Sequence, residues 1–171
     1  MPRIVPALLV AFVLSLPSAL DAQAGSDRDL DFLVAVNPVA LVALGVFSAD
    51  FEQVLTEGTS GGVSLFYARP DNRKYVPHFS GNAVFRYYPS GRTFDGYAVG
   101  VMAGFTVMDD EGASRNALGL GFNLEYDWLL GEDERLVVTG GVGGQRLMFF
   151  SERGGAGRAI PMARLSLGWA F

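Results

Sequence analysis

Between residues 118 and 128 every even position holds Leu, Phe, Tyr or Trp, and the odd positions between them are Gly119, Gly121, Asn123, Glu125 and Asp127. Side chains two apart share one face of an extended strand, and no helical period fits this spacing. The stretch therefore predicts a strand with one bulky apolar face and one face of glycine, amide and carboxylate. A strand with lipid outside and a narrow polar lumen inside uses both faces.

The same alternation recurs along the chain. Residues 30–36 form a short apolar stretch ending at Asn37-Pro38, where the missing proline amide favours a turn or a strand end. A strand is expected over 42–55, with Phe47, Ala49 and Phe51 against Ser48, Asp50 and Glu52, followed by a turn over 56–61. Further strands are expected over 62–68, 78–88, 97–108, 118–128, 136–150 and 158–171. The alternation in 136–150 slips near Arg146 and Leu147, which suggests a bulge. Loops are expected at 69–77, at the acidic segment 109–114 and at 151–157. With 30–36 counted, the strands number eight, an even number as in bacterial single-chain barrels. The expected fold is all-β, an eight-stranded antiparallel up-and-down transmembrane β-barrel.

The first two dozen residues read as a secretory signal peptide: Arg3, an apolar core over 4–16, and a small-residue cleavage site at Ala22-Gln23-Ala24. That core is shorter than the roughly 20 residues a spanning helix needs. Cleavage would leave one domain, the barrel over 25–171. The chain has no cysteine, which removes disulfides and thiolate metal sites, and its net charge of −5 offers no basic footprint for nucleic acid. A single histidine argues against zinc. The glycine runs at 140–144 and 154–155 lack the Lys-Ser/Thr and the helix start of a phosphate loop.

On this threading Phe51, Tyr87, Tyr97, Tyr126, Trp128, Trp169 and Phe171 gather at one rim, and Tyr67, Phe79, Phe105 and Phe149 near the other. Amphipathic rings collect at membrane interfaces in this way. A soluble barrel or sandwich would leave Gly119, Gly121, Gly141 and Gly143 on an exposed surface and crowd the rings into a small interior.

The inward face predicts a lumenal polar network of Asp50, Glu52, His78, Ser80, Asn82, Arg86, Asn123, Glu125, Asp127 and Arg164, with Ser48 and Gln145 between them. An eight-stranded barrel is just wide enough to be filled by its own side chains, so a general diffusion pore is not expected. Charges in so dry a space must pair, because an isolated buried ion costs several kcal/mol. A structural ion-pair network is the preferred reading, and a small ion-conducting channel is the alternative. The acidic segment Asp109-Asp110-Glu111 reads as a solvated loop before it reads as a cation site.

The leader, the alternating strands and the terminal Leu165-Ser166-Leu167-Gly168-Trp169-Ala170-Phe171 resemble the small outer-membrane barrels of Gram-negative bacteria, the outer-membrane protein A/X-like type. Asn37-Pro38, Phe51-Glu52 and Arg86-Tyr87-Tyr88-Pro89-Ser90 are similar to one subfamily of eight-stranded barrels. The resemblance covers nearly all of the mature chain. It implies an outer-membrane location, lipid and lipopolysaccharide as surroundings, and a terminal strand whose Leu167, Trp169 and Phe171 serve as a signal to the barrel-assembly machinery. It implies no activity and no cofactor; a monomer with a structural or surface-binding role is expected. The string His78-Phe79-Ser80-Gly81-Asn82 is similar to the His-x-Ser-Asn motif of outer-membrane lipid A deacylase. Gly81 interrupts that motif, however, and alternation turns His78 and Ser80 to the lumen, so no catalysis is expected.

Overall fold

The computed structural model describes residues 30–68, 78–110, 113–149 and 158–171. The signal-peptide segment, the loops expected at 69–77 and 151–157, and Glu111 of the acidic segment lie outside the described residues, as does the side chain of Phe149. Eight antiparallel strands close into a barrel: β1 (Phe32–Val36), β2 (Val46–Thr56), β3 (Thr59–Ala68), β4 (His78–Tyr87), β5 (Gly96–Asp110), β6 (Ala113–Leu130), β7 (Leu136–Phe149) and β8 (Arg158–Ala170). Each strand pairs with the next in sequence, and β8 returns to β1, which is the up-and-down order.

The pairings fix the tilt. From Ala35 the register runs through Asp50, Ser64, Asn82, Gly104, Gly119 and Leu147 to Arg158 of β8. Across the closing seam Ala35 pairs instead with Gly168, so one circuit of the barrel staggers the register by ten residues, from 158 to 168. Such a stagger accompanies strands tilted by roughly 35–45° to the barrel axis.

Polarity is turned inside out relative to a soluble core. Leu118, Leu120, Phe122, Leu124 and Trp128 of β6 are exposed, while Asn123, Glu125 and Asp127 between them are buried. The aromatic rim expected at one end is present as contacts: Tyr126 lies 4.8 Å from both Tyr97 and Trp128, and Phe32 stacks near Phe51 and Phe171.

Three expectations are corrected. The strand expected from residue 42 begins at Val46, because Pro38–Leu44 forms a helix, α1. Asn37 caps it by accepting a hydrogen bond from the Ala40 amide at 2.9 Å, Pro38 stands in its first turn, and Gly45 ends it at φ +65°. An apolar run without alternation suits either helix or strand, and these end signals decide it. The slip expected near Arg146 is absent: β7 keeps register with β6 and β8 through Arg146 and Leu147, which places Leu147 inside and leaves Arg146 exposed. The register shift is found instead between Val54 and Thr56, beside the tight turn to β3. Finally, most of the acidic segment is paired, Asp109 with Ser114 and Asp110 with Ala113, because the β5–β6 ladder continues past the apolar stretch and satisfies backbone groups whatever the side chains.

Candidate functional site: the lumenal polar column

The inward face of the strands brings the predicted polar residues into one column with a buried apolar cluster toward each end. At the end holding the chain terminus, Leu33, Ala35, Tyr88, Phe94, Ala98, Val137 and Ala170 form a buried cluster. Phe94 is fully buried and meets Tyr88 edge-on, with ring centroids 6.3 Å apart. It reaches the lumen from the β4–β5 turn with φ at +64°, a conformation disfavoured for an L-residue with a side chain. The turn spends that strain on aiming one ring into the barrel mouth.

Above this plug the Tyr88 hydroxyl donates to Asp127 Oδ2 at 2.9 Å, and Thr139 donates to Asp127 Oδ1 at 2.5 Å. The next layer is ionic. Arg86 pairs with Glu52, and its Nε donates to Glu125 Oε2 at 2.8 Å; Ser60 also donates to Glu52, at 2.8 Å. Arg164 joins the layer from β8, with Nη2 3.0 Å from Asp50 and Nη1 3.1 Å from Glu125 Oε1. Its Nε donates to Ser166 at 3.3 Å. Three carboxylates thus surround two guanidiniums, an arrangement that repays the desolvation of each ion only because nearly every donor and acceptor is used.

Farther along the axis the groups become neutral. Gln145 donates to Asn82 at 2.7 Å, Asn82 donates to Ser80 at 3.3 Å, and Ser80 bonds Thr106 at 3.0 Å. Met108, Ala117 and Leu147, packed by Ile160, form a second buried apolar cluster on β5 to β8 toward the other end. His78 stacks on Phe66 with centroids 4.9 Å apart.

Glycine opposite the ionic layer makes room for it. A Cβ on Gly141 would lie 2.5 Å from Glu125 Cγ, and one on Gly100 would collide with the Asn123 amide. The small inward residues that distinguish the sequence are therefore the space that the long charged side chains occupy.

All ten residues predicted for the network lie on inward-facing strand positions, but they do not form one cluster. Asp50, Glu52, Arg86, Glu125 and Arg164 make the ionic layer; Asn123 leans over Gly100 beside the Arg86 stem; Asp127 belongs with Tyr88 and Thr139; Ser80 and Asn82 belong with Thr106 and Gln145; and His78 sits with Phe66. His78 and Ser80, two apart in sequence, are engaged by Phe66 and by Thr106 and Asn82 respectively, inside the barrel rather than on its apolar exterior. Sequence reasoning missed Ser60 and Thr139, whose hydroxyls could have been found by extending the inward parity of their strands, and it left Thr106, which that parity turns inward, out of the network. It also missed Phe94, which no strand pattern contains. Leu167 and Trp169 are exposed on the outer wall, and the Phe171 amide and carbonyl exchange hydrogen bonds of 2.9 Å with Phe32.

Comparison with family models, with curated proteins and with solved structures gave no match.

Proposed function

We propose that this chain is an integral β-barrel of the bacterial outer membrane, exported by a cleaved leader over 1–24 and folded as a monomer, with a structural or surface-binding role and a lumen that serves as a structural plug. The observation that carries the reading is the inverted polarity of the wall. Large apolar side chains such as Phe122, Val101 and Val142 are 64%, 57% and 63% exposed, while Arg86, Glu52 and Glu125 are between 2% and 4% exposed. In water this arrangement would place a contiguous apolar surface against solvent around the whole barrel; in a bilayer it is the low-energy one. Strands of 10 or more residues in β2 to β8 are long enough for the roughly 9–11 residues a tilted crossing takes.

A filled lumen rather than a conducting one is supported by the two apolar clusters and by the satisfied ion pairs between them. An ion moving along the axis would have to displace Phe94 and Tyr88 at one end and pass Leu147 and Met108 toward the other. Surroundings of lipid and lipopolysaccharide, and delivery by the barrel-assembly machinery through Leu167, Trp169 and Phe171, are parts of the same proposal. Heat-modifiable migration of the protein from an outer-membrane fraction tests it: a folded band that shifts on boiling is expected, and recovery in the soluble fraction would overturn it.

A further inference from the structure

One charge stands on the apolar outer wall. Among the described outward side chains of the eight strands, Arg146 of β7 is the only charged one, and it is exposed. Its register partners are Leu120 of β6 and Ala159 of β8, and its outward neighbours along β7 are Gly144 and Met148. None of these four side chains carries an oxygen that could accept from a guanidinium, and among the described residues Arg146 makes no ion pair. Leu118 and Met148, paired with each other two residues higher, are both exposed, so the apolar wall continues above the charge. Arg158, exposed at the first position of β8, adds a second cation next to Ala159.

The register gives this charge a height. Arg146 stands ten residues from Leu136, which pairs with Trp169 of the aromatic rim. At about 3.4 Å per residue and a tilt of roughly 40°, that is about 26 Å up the wall, at the top of an apolar band about 25 Å tall. In the bilayer this is the level of the lipid head groups at the end away from the chain terminus. An ionised side chain that finds no partner in its own wall takes one from its surroundings, and at that level they offer phosphate. The planar guanidinium engages two phosphate oxygens at once, which an ammonium does not.

Below the charge the wall is hollowed. A Cβ on Gly144 would meet nothing nearer than 3.7 Å, with Phe122 Cε1 at 4.0 Å. Gly144 pairs with Pro161, and β8 presents Ala159, Pro161 and Ala163 outward before Leu165, Leu167 and Trp169 begin. On the other flank β6 presents Leu120, Phe122 and Leu124, all exposed. Small residues beside a row of large ones leave a trough that runs about 13 Å down the wall from the level of Arg146 to that of Ala163.

We propose that Arg146 and the trough beneath it hold one molecule of a phosphate-bearing lipid, with the guanidinium donating to the phosphate and one acyl chain lying between Phe122 and Pro161. The cation at the head of the trough selects an anionic lipid and sets its orientation, head up and chain down. A second copy of this chain is the poorer occupant. A two-fold interface joins the same patch on both copies, and this patch offers no acceptor, so each Arg146 would be buried without a partner. The inference rests on the membrane-barrel reading above.

The test uses the protein purified as a folded barrel in a neutral nonionic detergent and titrated with dilauroyl phosphatidic acid, dilauroylglycerol or inorganic phosphate, bound molecules being counted by native mass spectrometry. One phosphatidic acid per barrel is expected, with dilauroylglycerol and inorganic phosphate each at least about tenfold weaker. Arg146→Gln should weaken phosphatidic acid about tenfold, the scale of one charge-assisted hydrogen bond, and leave dilauroylglycerol unchanged. Arg146→Lys, which keeps the charge and loses the planar fork, should recover only part of that loss. Gly144→Leu, which fills the trough from the outer face, should weaken phosphatidic acid about fourfold, the scale of one buried methylene. Equal binding of phosphatidic acid and dilauroylglycerol, or wild-type affinity in Arg146→Gln, overturns the proposal. Inorganic phosphate bound as tightly as phosphatidic acid overturns the lipid, and unchanged affinity in Gly144→Leu overturns the trough. A dimeric mass that Gly144→Leu abolishes assigns the face to a second copy and likewise overturns the lipid. A wild-type chain without heat-modifiable migration overturns instead the membrane reading beneath it.

Discussion

Arg86 and Glu125, 39 residues apart in the chain, meet inside the barrel through Nε and Oε2 at 2.8 Å, with both side chains only 3% exposed. Strands β4 and β6 are separated by β5, where Arg86 is in register with Gly100 and Glu125 with Ala98, two small inward residues. The space that a side chain on that glycine would take holds the Asn123 amide and borders the Arg86 stem, with Arg86 Cγ 3.2 Å from the Cβ position.

Removing one partner of this pair leaves an uncompensated buried charge. Arg86→Met should destabilise the folded barrel by about 3–5 kcal/mol, because Glu52 loses its close cation and Arg164 alone is left among three buried carboxylates. Urea unfolding in lipid vesicles, followed by tryptophan fluorescence, measures the loss. The triple replacement Arg86→Met, Glu52→Gln, Glu125→Gln should recover much of it.

The outward wall gives a contrast at matched size. Phe122→Leu should change stability little, whereas Phe122→Arg should cost about 2–4 kcal/mol if the residue lies near the bilayer midplane. Folding yield and unfolding midpoint in vesicles read both. Equal effects of the two substitutions would mean that residue 122 faces water.

The terminal plug should control conductance. Wild-type protein in planar bilayers is expected to be silent, and Phe94→Ala, which removes the ring pressed against Tyr88, should raise the frequency of small cation-selective openings. Cation selectivity follows from four lumenal carboxylates against two guanidiniums among the described residues. Steady wild-type conductance would favour the channel reading.

Space in the column is as specific as charge. Gly141→Val should prevent formation of the Arg164–Glu125 contact, because its Cβ alone falls 2.5 Å from Glu125 Cγ and 2.9 Å from the Leu124 carbonyl oxygen. Loss of the heat-modifiable band is the expected result. Gly144→Ala, whose Cβ would meet nothing closer than 3.7 Å, is the tolerated control.

The terminal strand carries two roles that can be separated. Deleting Phe171 removes the reciprocal bonds to Phe32 that close the barrel, and it also removes the proposed assembly signal. Phe171→Ala keeps the backbone bonds, so it should fold in vitro with near wild-type yield yet accumulate poorly in the outer membrane of cells. Equal loss in both settings would assign Phe171 to closure alone.

The two-residue period from Phe47 to Asp50, from Phe79 to Tyr87 and from residues 118 to 128 determined by itself that these segments are strands, which faces point inward, and that the inward face is polar. A period of two leaves no other assignment once one side chain is placed. Asp50, Arg86, Asn123, Glu125 and Arg164 were legible as lumenal for that reason. Their partners were not. Which carboxylate meets which guanidinium depends on the ten-residue stagger and on the glycines of the strands between, and neither can be read from one strand at a time. The helix at Pro38–Leu44, the shortness of β1 and the ring of Phe94 inside the mouth were likewise decided by the tertiary structure. An apolar segment without alternation takes its conformation from what closes the barrel around it, and a turn residue takes its direction from the cavity it can fill.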